Sequence, residues 1–435
     1  MKKYKIVILV CAFTLLGIFT CRVSKTSNVY EENENNQMKK QVNTISMMLE
    51  TEAGSGKYEM TTRDSWPTEG YVFNSTLSKC ENGGELSWDD TNKKVLMSGN
   101  ISDKCYVYFD IETKVFLADY VKSLYTGTQG DNNIYYHDSS LENGAGDNSY
   151  RYAGSSETTN NYVCFGSDAD TCPEDNLYRI IGVFDGKVKL IKSTGTTNTL
   201  LGTDGTYTSN SRSYAWTDLD SCPSTTAYKF DNNVVVLSNK NILGAVPDGG
   251  KSGCNMWKYS NLNSVNLNTN FITNLGIKWA ALVDNATWKV SEYSTANVTA
   301  KTMYTAEITN ATKTYGPSDG TSKIGLMYAS DYGFAASPSA WTTLLSSYND
   351  SSIKSTNWIY NAGMEWTMTP YSSDSYSVFI LSYVSTVSNT GNLGTWSSLG
   401  GAAAGFGTRP AMYLNASVVY TRGSGTASDP IRIEI

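Results

Sequence analysis

Apolar and polar positions alternate with two periods along this chain, and the changes of period predict its elements. From Glu31 to Glu52 the background is polar, and Met38, Val42, Ile45 and Leu49 recur at intervals of four, three and four. That spacing predicts one apolar stripe on a helix, stopped by Gly54-Ser55-Gly56. Over residues 57–110 the apolar runs are short: 71–73, 85–88, 94–97 and 105–110, with Asp89 to Asn92 as a turn between two of them. They predict a small β unit. Residues 116–125 return to helical spacing. Two apolar runs in 176–194 then flank Asp185-Gly186, the dipeptide that favours a two-residue hairpin. Residues 260–283 predict two helices, 323–337 a buried strand and a turn, and 357–384 a tryptophan-rich strand, a loop and a further strand. Near the end, Ala411 and Tyr413 alternate with Met412 and Leu414, so one set faces inward as strands require. Pro410 suits a strand start because it donates no ladder hydrogen bond. Arg409 beside it is expected to satisfy several carbonyls or a carboxylate through its planar fork. Gly423-Ser424-Gly425 turns the chain back toward a last edge strand.

Charge and cysteines place this pattern in a compartment. Lys2, Lys3 and Lys5 precede an apolar run over residues 6–20, the form of an export signal. No small-x-small cleavage site follows, so an uncleaved signal anchor is expected over 1–24, with the lysines inside and the bulk of the chain outside the cell membrane. Cys21 follows Ile18-Phe19-Thr20, which lacks the small residue that lipid attachment favours. Cys80, Cys105, Cys164, Cys172, Cys222 and Cys254 form an even set in an exported chain, which indicates disulfides. Pairing in sequence order, 80–105, 164–172 and 222–254, keeps each bridge local. The chain has one histidine, His137, and no C-x-x-C, which argues against zinc. Only 17% of the 435 residues are charged, whereas 30 are Tyr and 10 are Trp, so a sizeable core is expected. The net charge of −7 and the lack of a basic cluster beyond the N-terminus exclude nucleic acid as a natural partner.

Tyr178-Arg179, Asp185-Gly186, the segment Ser260 to Asn266, Trp366 with Pro370, and Gly407-x-Arg409-Pro410-Ala411-x-x-Leu414 occur in one order. That order resembles an uncharacterised domain of exported proteins from Gram-positive bacteria, similar in fold to C-type lectins and to the formylglycine-generating, sulfatase-modifying enzyme. The likeness covers roughly residues 113–435. It implies an α+β fold, a loop-rich C-type-lectin-like domain with a small twisted antiparallel sheet. Where such domains tend to carry W-L-R-S-P, this chain has Trp366-Thr367-Met368-Thr369-Pro370, so the arginine's role does not carry over. The expected organisation is a signal anchor (1–24), a stalk helix and linker (25–56), a small all-β module (57–112) and the lectin-like domain (113–435).

Candidate chemistry narrows the function. A Ser–His–Asp triad would need His137, which stands in a polar stretch, and no G-x-S-x-G elbow is present. Formylglycine generation needs active cysteines late in the domain, and none follows Cys254. No enzyme is expected on these grounds. No cofactor is expected either, beyond calcium on the oxygens of Asp168, Asp170, Glu174 and Asp175, where the EF-type pattern fails because Cys172 stands at its fifth position. The late loops are rich in Tyr, Trp, Asn, Ser and Thr, which stack on and hydrogen-bond sugars or protein surfaces. In C-type-lectin-like folds such loops form the ligand face, which here means Tyr371, Tyr376, Trp396 and Phe406. The resulting expectation is a membrane-anchored extracellular binding or adhesin-like protein whose partner is a glycan or a protein. The alternative is a surface-layer or pilus-like subunit that assembles through the Met38–Leu49 stripe.

Overall fold

A computed structural model describes residues 11–13, 19–21, 27–32, 38–67, 69–99, 103–208, 213–215, 227–230, 233–236, 257, 260–291, 293, 295–311, 319–370, 384–387, 391–395 and 405–434. The chain divides into two compact units, Met1–Lys114 and Val115–Ile435. Among the described residues the first is sheet alone, whereas the second combines antiparallel sheets with short helices, so the chain as a whole is mixed α+β.

In the first unit the expected stalk helix is instead a strand, Met38–Glu50. It pairs in parallel with Lys104–Ile111, with Ile45 opposite Cys105 and Met47 opposite Val107. The four–three–four spacing misled because a strand sorts residues by parity. Ile45 and Met47 share a face and are buried, and the β-branched Ile45 suits a pleated surface. The segment is thus part of the small β unit rather than a stalk. Its core gathers Ile45, Met47, Trp66, Val95, Val107 and Phe109. Cys80 lies directly opposite Cys105 in the ladder, and the two are disulfide-bonded.

Most of the expected anchor lies outside the described residues. Its described parts, Cys11–Phe13 and Phe19–Cys21, are short paired strands. Among the described residues no helix is long and apolar enough to cross a membrane.

The second unit is organised on a larger antiparallel sheet. Ile134–His137, Ser149–Tyr152, Leu177–Phe184, Lys187–Lys192, Ala411–Tyr413 and Ile324–Gly325 lie side by side in that order, and Tyr162–Cys164 also pairs with Leu177–Phe184. The Asp185-Gly186 turn takes φ of 47° and 76°, the left-handed pair that a two-residue hairpin requires. Within the closing Gly407–Leu414 stretch, Ala411–Tyr413 is an interior strand. Met412 faces Leu190 on one side and Ile324 on the other, and all three are fully buried. After it the chain pairs Val419–Arg422 with both Arg432–Glu434 and Val115–Phe116, joining the two ends of the unit in one small sheet. Helices Leu117–Ser123, Leu262–Phe271, Ile277–Leu282 and Ala329–Phe334 cover the sheets. Cys164 and Cys172 are disulfide-bonded, whereas Cys222 and Cys254 lie outside the described residues.

Candidate functional site

The pleat of the large sheet assembles the site. Arg151 lies opposite Gly182, Gly182 opposite Lys189, and Lys189 opposite Tyr413. This row places two cations and a phenol on one face, with a glycine between them that brings no side chain. Gly182 has little alternative, because a Cβ there would come within 2.2 Å of the Tyr150 carbonyl oxygen. Lys187 shares the parity of Lys189 and lies at the rim, 40% exposed, paired with Asp284 at 2.6 Å.

Above this face is a cavity of about 470 Å³. Asp331, from the Ala329–Phe334 helix, closes one wall; its Oδ2 stands 2.5 Å from Lys189 Nζ and accepts the Tyr328 N–H at 2.9 Å. Arg151 donates to Asp147 at 2.7 Å and lies 3.8 Å from Asp331. Its guanidinium also packs over the rings of Phe184, Tyr304 and Phe334 at 4.7 to 5.0 Å. Tyr304 donates its hydroxyl to Asp147 at 2.8 Å. Burial alone would push the Asp147 carboxyl up, but Arg151 and the hydroxyls of Ser149 and Tyr304 outweigh it and hold the group well below the usual carboxylate range. Lys189 responds the other way. Desolvation lowers its ammonium below the ordinary lysine value, and Asp331 only partly restores it. Beside the wall, Glu307 accepts the N–H groups of Ala329 and Ser330 and the hydroxyl of Thr369. Burial pushes its carboxyl up to about 7.

One lining group has bonding capacity to spare. Arg151 Nη1 is buried, reaches Asp331 only at 3.8 Å and makes no hydrogen bond among the described residues, and the buried Ser330 hydroxyl has only the Glu307 carboxylate to engage. Such groups cost free energy unless something satisfies them. Charge balances around the cavity, with Asp147, Asp185, Asp284 and Asp331 against Arg151, Lys187, Lys189 and Lys289. The site therefore offers aromatic faces, donors and acceptors with no net charge among its lining residues.

The residues singled out in the sequence go elsewhere. Phe406 is buried and packs on Trp366 at 4.7 Å, so it belongs to the core rather than to a ligand face. An aromatic residue in a glycine-rich stretch reads as loop, yet burial of its ring decides the outcome. Tyr371, Tyr376 and Trp396 lie outside the described residues. His137 ends a strand and is fully buried between Phe334 and Trp341. Its Nδ1 accepts the Ala145 N–H and its Nε2 meets no partner among the described residues, so within them it is not wired to a nucleophile. Burial holds its pKa well below the ordinary histidine value. The proposed calcium oxygens do not gather into one sphere among the described residues. Asp168 is instead paired with Lys278 at 2.6 Å and Asp175 with Lys192 at 3.6 Å.

The arginines of the motifs are structural. Arg409 forms a buried pair with Glu365 at 2.7 Å and donates to the Ile359 carbonyl at 2.7 Å, as its planar fork predicts. Arg179 ties down Asn161, Ser156 and the carbonyls of Thr159 and Trp358. Arg151, Lys189, Asp147, Asp331 and Glu307 were not legible as a site. The one local signal was Lys187-Val188-Lys189-Leu190, whose alternation puts both lysines on one face of a strand.

No family model matches the chain, no curated protein matches it in sequence, and no solved structure matches its fold.

Proposed function

We propose that this is an exported binding protein whose second unit, a lectin-like domain, takes a glycan unit in the cavity over Arg151, Lys189 and Tyr413. The observation that carries the reading is the buried Arg151 Nη1 at the cavity wall, which makes no hydrogen bond among the described residues. An uncharged ligand with many hydroxyls satisfies that group, since a hydroxyl oxygen accepts from the guanidinium N–H. The balanced charges suit it, and Tyr304, Tyr328, Tyr413 and Phe184 offer rings for its apolar faces. The two disulfides fit an oxidising compartment outside the cell, and the lysine-led apolar N-terminal segment supplies the tether to the membrane. The site works as a binder rather than as an enzyme in this reading, because its cations are neutralised by neighbouring carboxylates and its one histidine is sealed in the core. The pilus-like alternative loses its main support, since the stripe it needs is sheet.

Glycan-array binding by the full chain tests this, with Thr287→Trp as the obstructed control. Thr287 is an exposed lining residue on the strand Ala286–Lys289, so the indole enters the cavity without disturbing the core. Wild type should bind at least one glycan class, and Thr287→Trp should weaken that binding by about tenfold or more, roughly 1.4 kcal/mol. Absence of binding across the array, or equal binding by both proteins, removes the proposal.

A further inference from the structure

Lys189 and Asp331 are 142 positions apart in sequence, yet their side chains are only 1% and 3% exposed, with Nζ and Oδ2 2.5 Å apart. Around the amine stand the rings of Tyr328, Tyr413, Trp288 and Phe184, at 4.4 to 5.7 Å. The pair is therefore fixed on two rigid elements, a central strand and a packed helix, with rings in place of a hydration shell. A surface ion pair has none of these properties. We propose that Lys189 and Asp331 condense into an intramolecular isopeptide bond that cross-links the sheet to the Ala329–Phe334 helix.

The step balances without a co-reactant. Proton transfer within the pair gives a neutral amine and a neutral carboxylic acid. The Lys189 nitrogen attacks Cγ of Asp331 and one C–N bond forms. One C–O bond of Asp331 then breaks, and its oxygen leaves as water with a proton from the amine. The products are one amide and one water, and nothing is oxidised or reduced. Burial favours each part of this sequence. Desolvation already biases Lys189 toward the free amine. A neutral amide also ends the cost of keeping two opposite charges in a poorly hydrated place. Fixed proximity replaces a collision, which in well-oriented intramolecular reactions is worth an effective concentration of about 10⁵ M or more. Glu307, bonded to the N–H groups of the two residues just before Asp331, titrates near neutrality and can exchange protons beside the pair. The adjoining cavity gives the released water an exit. Arg151 keeps Asp147 as its partner after the reaction, and the charge balance of the cavity is unchanged because one charge of each sign is lost.

Mass spectrometry of the full chain, denatured and with all disulfides reduced, decides the matter. The wild type should be lighter than its sequence by one water, and proteolysis should yield a branched peptide joining the segments that carry Lys189 and Asp331. Asp331→Ala and Lys189→Arg should each restore the full mass and migrate more slowly than the looped wild type in a denaturing gel. Should a variant fail to fold, the wild-type peptide map still answers. Unbranched Lys189 and Asp331 peptides from folded wild-type protein overturn the proposal, as does a water lost at any other position.

Discussion

Glu307 is subject to opposing demands. Two backbone N–H groups and a hydroxyl solvate its charged form, while complete burial penalises that form and wins, moving the group from 4.5 to about 7. The consequence for stability has a definite sign. Between those values the folded chain holds a proton that the unfolded chain has released, so the folded state binds more protons and stability falls as pH rises. The contribution is complete below about 4.5 and gone above about 7, and its size is on the order of 3 kcal/mol. His137 acts oppositely: its lowered pKa makes its contribution present above the ordinary histidine value and lost as pH falls. A comparison of wild type with Glu307→Gln separates the two, because only the Glu307 effect differs between them. Glutamine should cost stability everywhere, since its amide cannot accept from both N–H groups, but the deficit should shrink as pH rises from about 5 to about 8. Thermal melts across that range check this, and a deficit that does not vary with pH would refute the assignment.

Within elements, the clearest lesson comes from the hairpin Leu177–Phe184 and Lys187–Lys192. Its turn was legible because Asp185-Gly186 is a local device: the φ values it needs are set by those two residues alone. Gly182, three positions earlier, is constrained by a different strand and was not legible. It lies at an irregularity of the ladder, against the backbone of Tyr150. The two glycines therefore predict different losses. Gly186→Ala meets no atom within 4 Å and suffers only its positive φ, a cost of about 1 kcal/mol. Gly182→Ala drives a methyl into a carbonyl oxygen and should cost about 3 kcal/mol, with separation of Ser149–Tyr152 from the sheet. Denaturant midpoints rank the two variants, and a Gly186 loss equal to or larger than the Gly182 loss contradicts this account of the sheet. The same contrast explains the misreading of Met38–Glu50. Its spacing satisfied a helix, but its partner, Lys104–Ile111, lies more than fifty residues away and offers a full edge of ladder hydrogen bonds. The cavity was hidden for a similar reason, since Arg151, Lys189 and Asp331 come from three separate parts of the sequence and meet only across the sheet. Arg409 was legible because its planar fork suits a carboxylate and a carbonyl together, and it meets Glu365 and the Ile359 carbonyl.

Across the molecule, stability is distributed very unevenly. The second unit has a large continuous core that includes Trp257, Trp288, Trp341, Trp358 and Trp366. The first rests on Ile45, Met47, Trp66, Val95, Val107 and Phe109, and a core of that size leaves little margin over chain entropy. The bridges therefore matter to different degrees. Cys80–Cys105 closes 25 residues and Cys164–Cys172 closes 8, which on a chain-entropy basis is worth about 3.5 and about 2.5 kcal/mol respectively. The larger contribution falls on the unit with the smaller core. Replacing Cys80 and Cys105 by serine should thus open the first unit while the second stays folded, and replacing Cys164 and Cys172 should loosen only the acidic loop that they close. Hydrogen exchange resolved by peptide distinguishes these outcomes. In the first variant, protection should be lost from Tyr71–Phe73 and Lys104–Ile111 and kept in Leu177–Phe184 and Lys187–Lys192. Equal loss in both units would mean that the small unit does not depend on its bridge in this way, and full protection throughout would mean that its six-residue core suffices alone.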